Sequence, residues 1–463
     1  MHNILFLMTD QLRWDALGRT GGWVKTPNLD RIAGEGVLFT QCFTNAPVCI
    51  PARVSLATGL YPHNTGVCSN VPDFDLDPAS STWMQALRSA GYRTSLFGKT
   101  HLHRHSGDLR DREPLMRAYG FDDVDEIGGP RASMHVGSHM TEGWERAGLW
   151  DIYKEDFRRR FAEKPYAARP SPLPLDQYAD VYVGRQARDY LERYDRPEPW
   201  FCMVSFGGPH EPWDAPEPYA SMYDPGSMPA PVPRLSPTPG RKAGHLDRYF
   251  APGDPHSPEA SADEIAAMRA NYAGNVTLID DQIGELLRTL ERRGELERTI
   301  IAFASDHGEM NGDHGLIYKE QFLNGAVRVP LIVRAPGRHG AAAGTAVDSP
   351  IELFDLGPTL VELGGGEWRT ARFAKSFAAL LDGRPAAHRD EALVEVHGEY
   401  MVQDREWKLA VNRLGEPYLL FDLANDPDEQ RNLVLDPQYR GQLDAMQLRL
   451  LRRLVASQRL LPD

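Results

Sequence analysis

The chain has 463 residues, of which 41% are hydrophobic and 25% charged, and a formal net charge of −14 at pH 7. This composition is ordinary for a globular protein, and the length exceeds what one hydrophobic core usually serves, so we expect one large domain with a smaller one appended, or two domains. The negative charge argues against a nucleic-acid partner, because a phosphate-binding surface needs a basic excess, but it allows an anionic substrate in a local basic pocket.

The N-terminus and the cysteines bear on location. The opening apolar run of residues 3–9 is too short for a signal peptide and lacks a basic start and a small-residue cleavage site. No apolar stretch reaches the length of about 18 residues that a membrane span needs. Four cysteines are too few for a disulfide framework in a chain of this length. These observations predict a cytoplasmic protein.

Strands and helices alternate along the first part of the chain. Residues 3–9 form a continuous apolar run that predicts a buried parallel strand. Helices are predicted after Thr26-Pro27, over residues 82–90, and after the capping box that begins at Ser261. Further strands are predicted at 37–43, 94–97, 200–205, 299–305 and 329–334. The alternation predicts an α/β fold with a mostly parallel central sheet between helices.

Two long segments and the C-terminal part depart from this alternation. Residues 103–169 and the proline-rich residues 207–258 are predicted to be lids or binding loops, with disorder as the alternative. Strand-like runs at 392–397, 400–411 and 417–423, followed by an amphipathic helix over 439–456, predict a small antiparallel sheet with a closing helix. We therefore predict a catalytic domain of residues 1–385 and a C-terminal subdomain of residues 386–463.

Polar residues stand where several predicted strands end. Ligands bind beyond the carboxyl ends of the strands in open α/β sheets, so residues at these ends are expected to share one site. The residues in question are Asp10, Lys99, His101, His210, Asp306 and His307.

The residues after the first strand and after the 299–305 strand predict a metal site. Asp10 with Gln11, and Asp306 with His307, offer oxygen and nitrogen donors. The oxygens favour Ca²⁺ or Mg²⁺, with Ca²⁺ expected, and the histidine leaves Mn²⁺ or Zn²⁺ open. Capping and turn roles for the aspartates are the alternative.

The most specific motif is Cys49-Ile50-Pro51-Ala52-Arg53, which opens an apolar helical run. A cysteine with Pro at +2 and Arg at +4 resembles the signature that type I sulfatases, of the alkaline phosphatase superfamily, present to the enzyme that oxidises their cysteine to formylglycine. The opening residues 3–10 and the segment 421–427 are also similar to this family, so the resemblance extends over nearly the whole chain. The alternative is a cysteine that packs as a small apolar residue.

The resemblance implies an alkaline phosphatase-like fold and a sulfuric ester hydrolase. It implies that Cys49 becomes a formylglycine whose hydrate attacks sulfur, and that this residue completes the metal shell of Asp10, Asp306 and His307. Many members have two adjacent aspartates after the first strand, whereas this chain has Asp10-Gln11. The amide removes one negative charge, which leaves the identity of the metal open.

The remaining site residues follow from the same resemblance. Arg53 would orient the modified residue, and Lys319 would stabilise the developing charge with Lys99. His210, alone or together with Lys319, would protonate the leaving oxygen. His101 would act as base during product release, and Asn70 would contact the region of the nucleophile. Alternation in an extended segment would place Lys99 and His101 on one face.

His101, His103 and His105 stand at a spacing of two. They would lie on one face of a strand, but structural zinc sites usually include cysteines at characteristic spacings, and these are absent here. We therefore predict that only His101 acts in the site.

Two other functions remain open. One is a phosphonate monoester or phosphodiester hydrolase, a sister group that resembles this chain at Asp10-Gln11 and Asp306-His307 but tends to lack the residues found here at Lys99 and His101. The other is a non-catalytic binding protein on a sulfatase scaffold. The expected partners are a small sulfate ester, whose alcohol part the sequence does not identify, and a formylglycine-generating maturase. A second copy of the chain is the default expectation for the oligomeric state.

Overall fold

The structure is a computed structural model that describes residues 1–235, 244–251, 253–338, 342–383 and 388–458. The main sheet has nine strands: β1 (Asn3–Asp10), β2 (Val37–Phe43), β3 (Arg93–Gly98), β4 (Asp123–Glu126), β5 (Trp200–Pro209), β6 (Thr299–Ser305), β7 (Arg328–Arg334), β8 (Thr345–Val347) and β9 (Ile351–Glu352). The second sheet has four: β10 (Ala392–Val396), β11 (Glu399–Gln403), β12 (Trp407–Val411) and β13 (Pro417–Asp422).

Helices connect the strands and cover the sheets. They are α1 (Pro27–Glu35), α2 (Cys49–Thr58), α3 (Pro62–Thr65), α4 (Trp83–Ser89), α5 (Glu113–Ala118), α6 (Gly129–Ala132), α7 (His139–Arg146), α8 (Trp150–Glu163), α9 (Ala179–Arg193), α10 (His245–Tyr249), α11 (Ala262–Arg292), α12 (Asn324–Val327), α13 (Leu356–Leu363) and α14 (Arg440–Ala456).

The main sheet is mixed and mostly parallel, which confirms the predicted fold class. Its strand order is β4-β3-β5-β1-β6-β7-β2-β8, and β9 also pairs with β2. Only β7 runs antiparallel to its neighbours, β6 and β2, among the strands described.

The central strand β1 shows why both faces are covered. Its side chains alternate between two hydrophobic cores: Leu5 and Leu7 pack in the core that includes α1, α9 and α11, whereas Phe6 and Met8 pack in the core that includes α2, α4 and α13. Every residue of β1 is buried. A strand buried on both faces is apolar throughout, which is the pattern that the sequence presents.

The second sheet is antiparallel, as predicted, and lies between the main domain and α14. One face packs residues such as Val394 with Phe322 of the main domain, and the other packs Leu409 with Met446 of the closing helix. The boundary predicted between residues 385 and 386 lies outside the described residues.

The structure corrects two predictions. The run 400–411 is two strands rather than one, because the Asp404 carboxylate accepts backbone hydrogen bonds from Glu406 and Trp407 and closes a turn. Residues 103–169 contain β4 and the helices α5 to α8 rather than a long loop. In the segment 207–258, β5 continues to Pro209 and α10 is present, while residues 236–243 and 252 lie outside the described part.

None of the helices in the described ranges is long and apolar enough to cross a membrane.

A buried ionic network joins the main domain to the C-terminal subdomain. The Arg389 guanidinium donates to both Asp355 carboxylate oxygens at 2.6 and 2.5 Å and lies 3.3 Å from Glu352. Arg453 of α14 donates to Glu352 at 2.5 Å. Burial alone would raise the pKa of Asp355, but Arg389 outweighs it and lowers the pKa to about 2.

We expect Arg389→Met to lower the free energy of unfolding by about 3–5 kcal/mol, because it leaves a buried carboxylate without its counter-charge. The double variant with Asp355→Asn should recover part of this loss. The measurement is urea unfolding. Arg31→Met is the control, since Arg31 makes comparable ion pairs with 42% of its side chain exposed and should cost at most about 1 kcal/mol. Equal losses for Arg389→Met and Arg31→Met would contradict the argument.

Candidate active site

The site lies where β3, β5, β1 and β6, four parallel neighbours in the sheet, end at one edge. Asp10 ends β1, Asp306 and His307 follow β6, Lys99 follows β3, and His210 follows β5. The structure thus brings together the residues that the sequence analysis placed at one sheet edge, and it adds the start of α2.

Helix α2 carries Cys49 as its first residue, and all of its residues are buried. The Asn70 side-chain oxygen accepts a hydrogen bond from the Ile50 backbone N–H at 2.9 Å and so caps the helix start. The helix ends at Gly59, whose φ of 67° is the left-handed conformation that glycine adopts readily. Cys49 therefore lies at the positive end of a helix dipole, a position that favours negative charge.

Three side chains converge around Cys49. Ligand atoms of Asp10, Cys49, Asp306 and His307 all lie within 4.8 Å of one another. Cys49 Sγ is 3.2 Å from His307 Nε2 and 3.7 Å from Asp10 Oδ1. His307 Nδ1 lies 2.9 Å from the Gly308 carbonyl, which turns Nε2 toward the group. These four residues are at most 1% exposed.

This donor set fits a divalent cation. Two carboxylates supply hard oxygen ligands, and burial lowers the pKa of His307, so its imidazole is neutral and able to ligate. The backbone carbonyl on Nδ1 is the kind of partner that fixes the orientation of metal-binding histidines. Residue 49 is the encoded cysteine here, and its sulfur marks where the side-chain oxygens of a formylglycine would stand.

Arg53 connects α2 to the edge of the sheet through hydrogen bonds. Its Nε donates to Asp306 Oδ2 at 2.7 Å, and its Nη1 donates to the Lys99 carbonyl at 2.8 Å. Nη1 also lies 3.1 Å from Ser205 Oγ within β5. One arginine thus links the helix that carries Cys49 to β5 and to the residues that follow β3 and β6, which suits the orienting role predicted for it.

Lys99 provides a second positive charge. Its Nζ contacts the Asp10 carboxylate. Burial alone would raise the pKa of Asp10, but Lys99, followed by His210, outweighs it and holds the pKa well below its ordinary value. Asp10 is therefore ionised despite complete burial.

His101 reaches the site by a different conformation from the predicted one. Its φ is 58°, so the segment turns rather than running extended, and the argument from alternation is wrong. The ring lies 4.4 Å from that of His105, and its buried Nδ1 has no hydrogen-bond partner. Burial, together with Lys99, lowers the pKa of His101 well below its ordinary value. The imidazole is therefore neutral.

Lys319 and His210 lie together on another side of the site. Lys319 Nζ is 3.0 Å from His210 Nε2, and His210 Nδ1 is 2.8 Å from the Glu211 carbonyl. Burial alone would lower the pKa of Lys319, but the Glu211 carboxylate outweighs it and raises the pKa above its ordinary value. Lys319 is therefore a buried, permanent positive charge.

Gln11 does not turn its side chain to the ligand group. Its φ is 69°, directly after β1. The amide oxygen contacts Lys319 Nζ, while the amide nitrogen donates to Glu211 at 2.9 Å and to Glu309. Only the backbone N–H of Gln11 reaches the ligand group, at 3.1 Å from Asp306 Oδ1. The contacts thus favour four of the five predicted ligands and leave Gln11 as an orienting residue.

Two residues that sequence reasoning missed, Glu211 and Arg131, complete this side. Glu211 accepts from Arg131 Nε at 2.7 Å and lies 3.3 Å from His210 Nδ1. Burial, with the charge of Glu211, raises the pKa of Glu309 to about 7. Glu211 follows His210 directly in the sequence, but no pattern pointed to Arg131.

A cavity of about 940 Å³ reaches this side of the site. It is large enough for a substrate of drug size. Its lining includes Asn70, Arg131, His210, Glu211, Tyr318 and Lys319.

Comparison with known proteins gives a consistent result. The family model described as "Sulfatase" matches residues 2–366, and one described as "N-sulphoglucosamine sulphohydrolase, C-terminal" matches residues 312–456. An arylsulfatase of Clostridium perfringens is 29% identical over 482 residues, covering 98% of this chain and 94% of that protein.

Two further similarities extend the comparison beyond proteins that are named as sulfatases. The "Multifunctional alkaline phosphatase superfamily protein PehA" of Trinickia caryophylli is 31% identical, with 94% of this chain and 92% of that protein covered. The crystal structure of a phosphonate monoester hydrolase of Agrobacterium radiobacter has a TM-score of 0.77 and 28% identity, with 99% of this chain and 95% of that chain covered.

We expect Asp306→Asn to weaken Ca²⁺ binding by at least about tenfold, because a carboxylate is lost from a set of hard-ion ligands. Isothermal titration of metal-stripped protein measures this, with circular dichroism to check folding. Asp151→Asn is the control, since the Asp151 side chain is 94% exposed and remote from the ligand group. Unchanged Ca²⁺ affinity in Asp306→Asn would refute the ligand assignment.

Proposed function

Because the chain belongs to the sulfatase family of the alkaline phosphatase superfamily, we propose that it is a sulfuric ester hydrolase that cleaves a sulfate monoester by means of a formylglycine made from Cys49. The observation that carries the proposal is the position of Cys49, at the start of a buried helix and among Asp10, Asp306 and His307. Around this group stand the cationic and proton-transferring side chains that cleavage of a tetrahedral anion needs.

A formylglycine hydrate supplies an oxygen nucleophile and a second hydroxyl for product release, and a divalent cation supplies positive charge beside them. Asp10, Asp306 and His307 would hold the cation together with residue 49. Arg53 holds α2 in a fixed position relative to Asp306 through its hydrogen bonds. The chain therefore positions the nucleophilic residue before any substrate binds.

The two lysines bind the anion. Lys99 Nζ stands beside Asp10, and Lys319 Nζ stands beside His210. Lys99 follows β3 and Lys319 lies in the segment between β6 and α12, and in this proposal both ammonium groups contact the oxygens of one sulfuryl group. Buried, fixed charges of this kind stabilise the charge that develops in the transition state.

Two histidines carry out the proton transfers of the reaction. His210 lies on the cavity side of the site and its Nε2 protonates the departing oxygen, while Lys319 Nζ, 3.0 Å from Nε2, keeps its protons and supplies positive charge. His101 has a neutral ring and a free, buried Nδ1, so it accepts the proton that must leave during product release.

The rival function is hydrolysis of a phosphonate monoester or phosphodiester. The likeness to a phosphonate monoester hydrolase structure and to PehA supports it, and so does the amide at Gln11. Lys99 and His101 favour the sulfate ester, because the phosphonate-cleaving relatives tend to lack them. Both substrates present tetrahedral anions, so some activity toward each is expected.

We expect kcat/KM for para-nitrophenyl sulfate to exceed that for para-nitrophenyl phenylphosphonate, measured by release of nitrophenolate. Lys99→Met should lower the sulfate value by about 10²-fold or more, since it removes a buried charge from the anion site. Lys164→Met, with 51% of the lysine side chain exposed, is the control and should leave it unchanged. A clear preference for the phosphonate would overturn the proposal in favour of its rival.

We expect mass spectrometry of the peptide that contains residue 49 to find formylglycine in protein made together with a maturase. Cys49→Ala should lower kcat by at least about 10³-fold, because the nucleophile is lost. Cys68→Ser, at a half-buried free cysteine, is the control and should retain activity. An unmodified thiol in every sample would favour the non-catalytic alternative.

A further inference from the structure

A second group of potential ligands lies beside the active site, formed by His103, His105 and Glu126. The two histidines belong to the segment after β3, and Glu126 is the last residue of β4. The sequence analysis set these histidines aside because no cysteine accompanies them. The structure supplies the missing third donor as a carboxylate from the neighbouring strand.

The three side chains point at one place. His103 Nε2 is 2.6 Å from Glu126 Oε2, and His105 Nε2 is 3.4 Å from Glu126 Oε1. One ligand atom from each residue lies within 4.8 Å of the other two. The exposed fractions of the three side chains are 0%, 4% and 2% in sequence order.

The backbone fixes both rings in the orientation that ligation needs. His103 Nδ1 lies 3.0 Å from the Arg104 carbonyl, and His105 Nδ1 lies 3.1 Å from the Gly128 carbonyl. A carbonyl accepts a hydrogen bond, so Nδ1 carries a proton in both rings. Nε2 of His105 is therefore left for another partner, whereas Nε2 of His103 donates to the Glu126 carboxylate and would have to give up that proton to a cation. Histidines that bind metals are held in this way.

One of these nitrogens lacks a partner. His105 Nε2 is buried without a hydrogen bond, and a buried polar atom without a partner is costly. Burial lowers the pKa of His105, so its lone pair is free. Burial would also lower the pKa of His103, but Glu126 raises it, so an incoming cation would displace a proton from that ring.

We infer that His103, His105 and Glu126 form a second metal site, which takes Zn²⁺ or a similar borderline cation and is separate from the site at Asp10. Two histidines and one carboxylate are a zinc ligand set that leaves a fourth position open. Ligand bonds of about 2.0–2.2 Å in a tetrahedron separate ligand atoms by roughly 3.4 Å. His105 Nε2 and Glu126 Oε1 are already separated by this distance. His103 Nε2, which lies 2.6 Å from Glu126 Oε2, must withdraw by less than about 1 Å to reach it.

The site restrains the segment that carries two residues of the active site. The His101 ring lies 4.4 Å from the His105 ring, and Thr100 Oγ1 contacts Glu126. A cation that ties His103 and His105 to β4 therefore holds Lys99 and His101 in place without contacting the substrate. It differs from the site at Asp10 in donor type, being richer in nitrogen and so selective for softer ions.

The test uses the full-length, metal-stripped protein titrated with Co²⁺, whose visible absorption reports a tetrahedral site, and with Zn²⁺ counted by elemental analysis. We expect Asp306→Asn to keep the tetrahedral Co²⁺ signal and one equivalent of tightly bound Zn²⁺. His105→Gln and Glu126→Gln, each made separately, should lose that signal and that equivalent. His135→Gln, at an exposed histidine outside the group, is the control and should bind as the unaltered protein does.

Two results would overturn the inference. One is a Zn²⁺ content that His105→Gln and Glu126→Gln leave unchanged. The other is a Co²⁺ signal that Asp306→Asn abolishes, since the ion would then lie at the site of Asp10. Anomalous diffraction from a Zn²⁺-soaked crystal of the unaltered protein gives a check that does not depend on how well the variants fold: density between the two Nε2 atoms supports the site, and its absence there refutes it.

Discussion

Two buried carboxylates, Asp10 and Asp306, impose the main constraint on this molecule. Removing an ion from water costs several kcal/mol in proteins, so each must be matched by positive charge in a fixed place. Arg53 and Lys99 provide that charge. Because Arg53 belongs to α2, neutralising Asp306 also fixes the helix whose first residue is Cys49. The ion pair between Arg53 and Asp306 thus balances the buried charge, fixes the position of α2 and places Cys49 in the site.

Much of this arrangement could be predicted from local sequence. The apolar run of residues 3–9 and the capping box at Ser261 each contain the signal for their own structure, and the rule that ligands lie beyond strand ends placed Asp10 and Asp306 together. The conformation of His101 and the orientation of Gln11 could not be predicted, because both residues adopt a left-handed backbone conformation and Gln11 also depends on partners far along the chain. Glu126 was missed for the same reason, since its histidine partners come from another segment.

Gln11 shows how one neutral group can organise several charged ones. Its oxygen contacts Lys319, and its nitrogen contacts Glu211 and Glu309. A carboxylate in this position would repel both glutamates, whereas the amide satisfies donors and acceptors at once. Compared with a carboxylate, the amide of Gln11 also leaves one negative charge fewer beside Lys319.

The complete burial of α2 also sets an order of events in the life of the protein. Cys49 is 1% exposed, and every other residue of its helix is buried as well. Under the proposed function, an enzyme that oxidises this cysteine needs access to the flanking residues, so it must act before the sheet edge closes over them. Large proteins fold as they emerge, N-terminal part first. Residue 49 emerges early, but β6, which supplies Asp306, is made much later. The residues between Cys49 and β6 thus take seconds to translate. In that interval, the proposed oxidation of Cys49 can occur before the site folds.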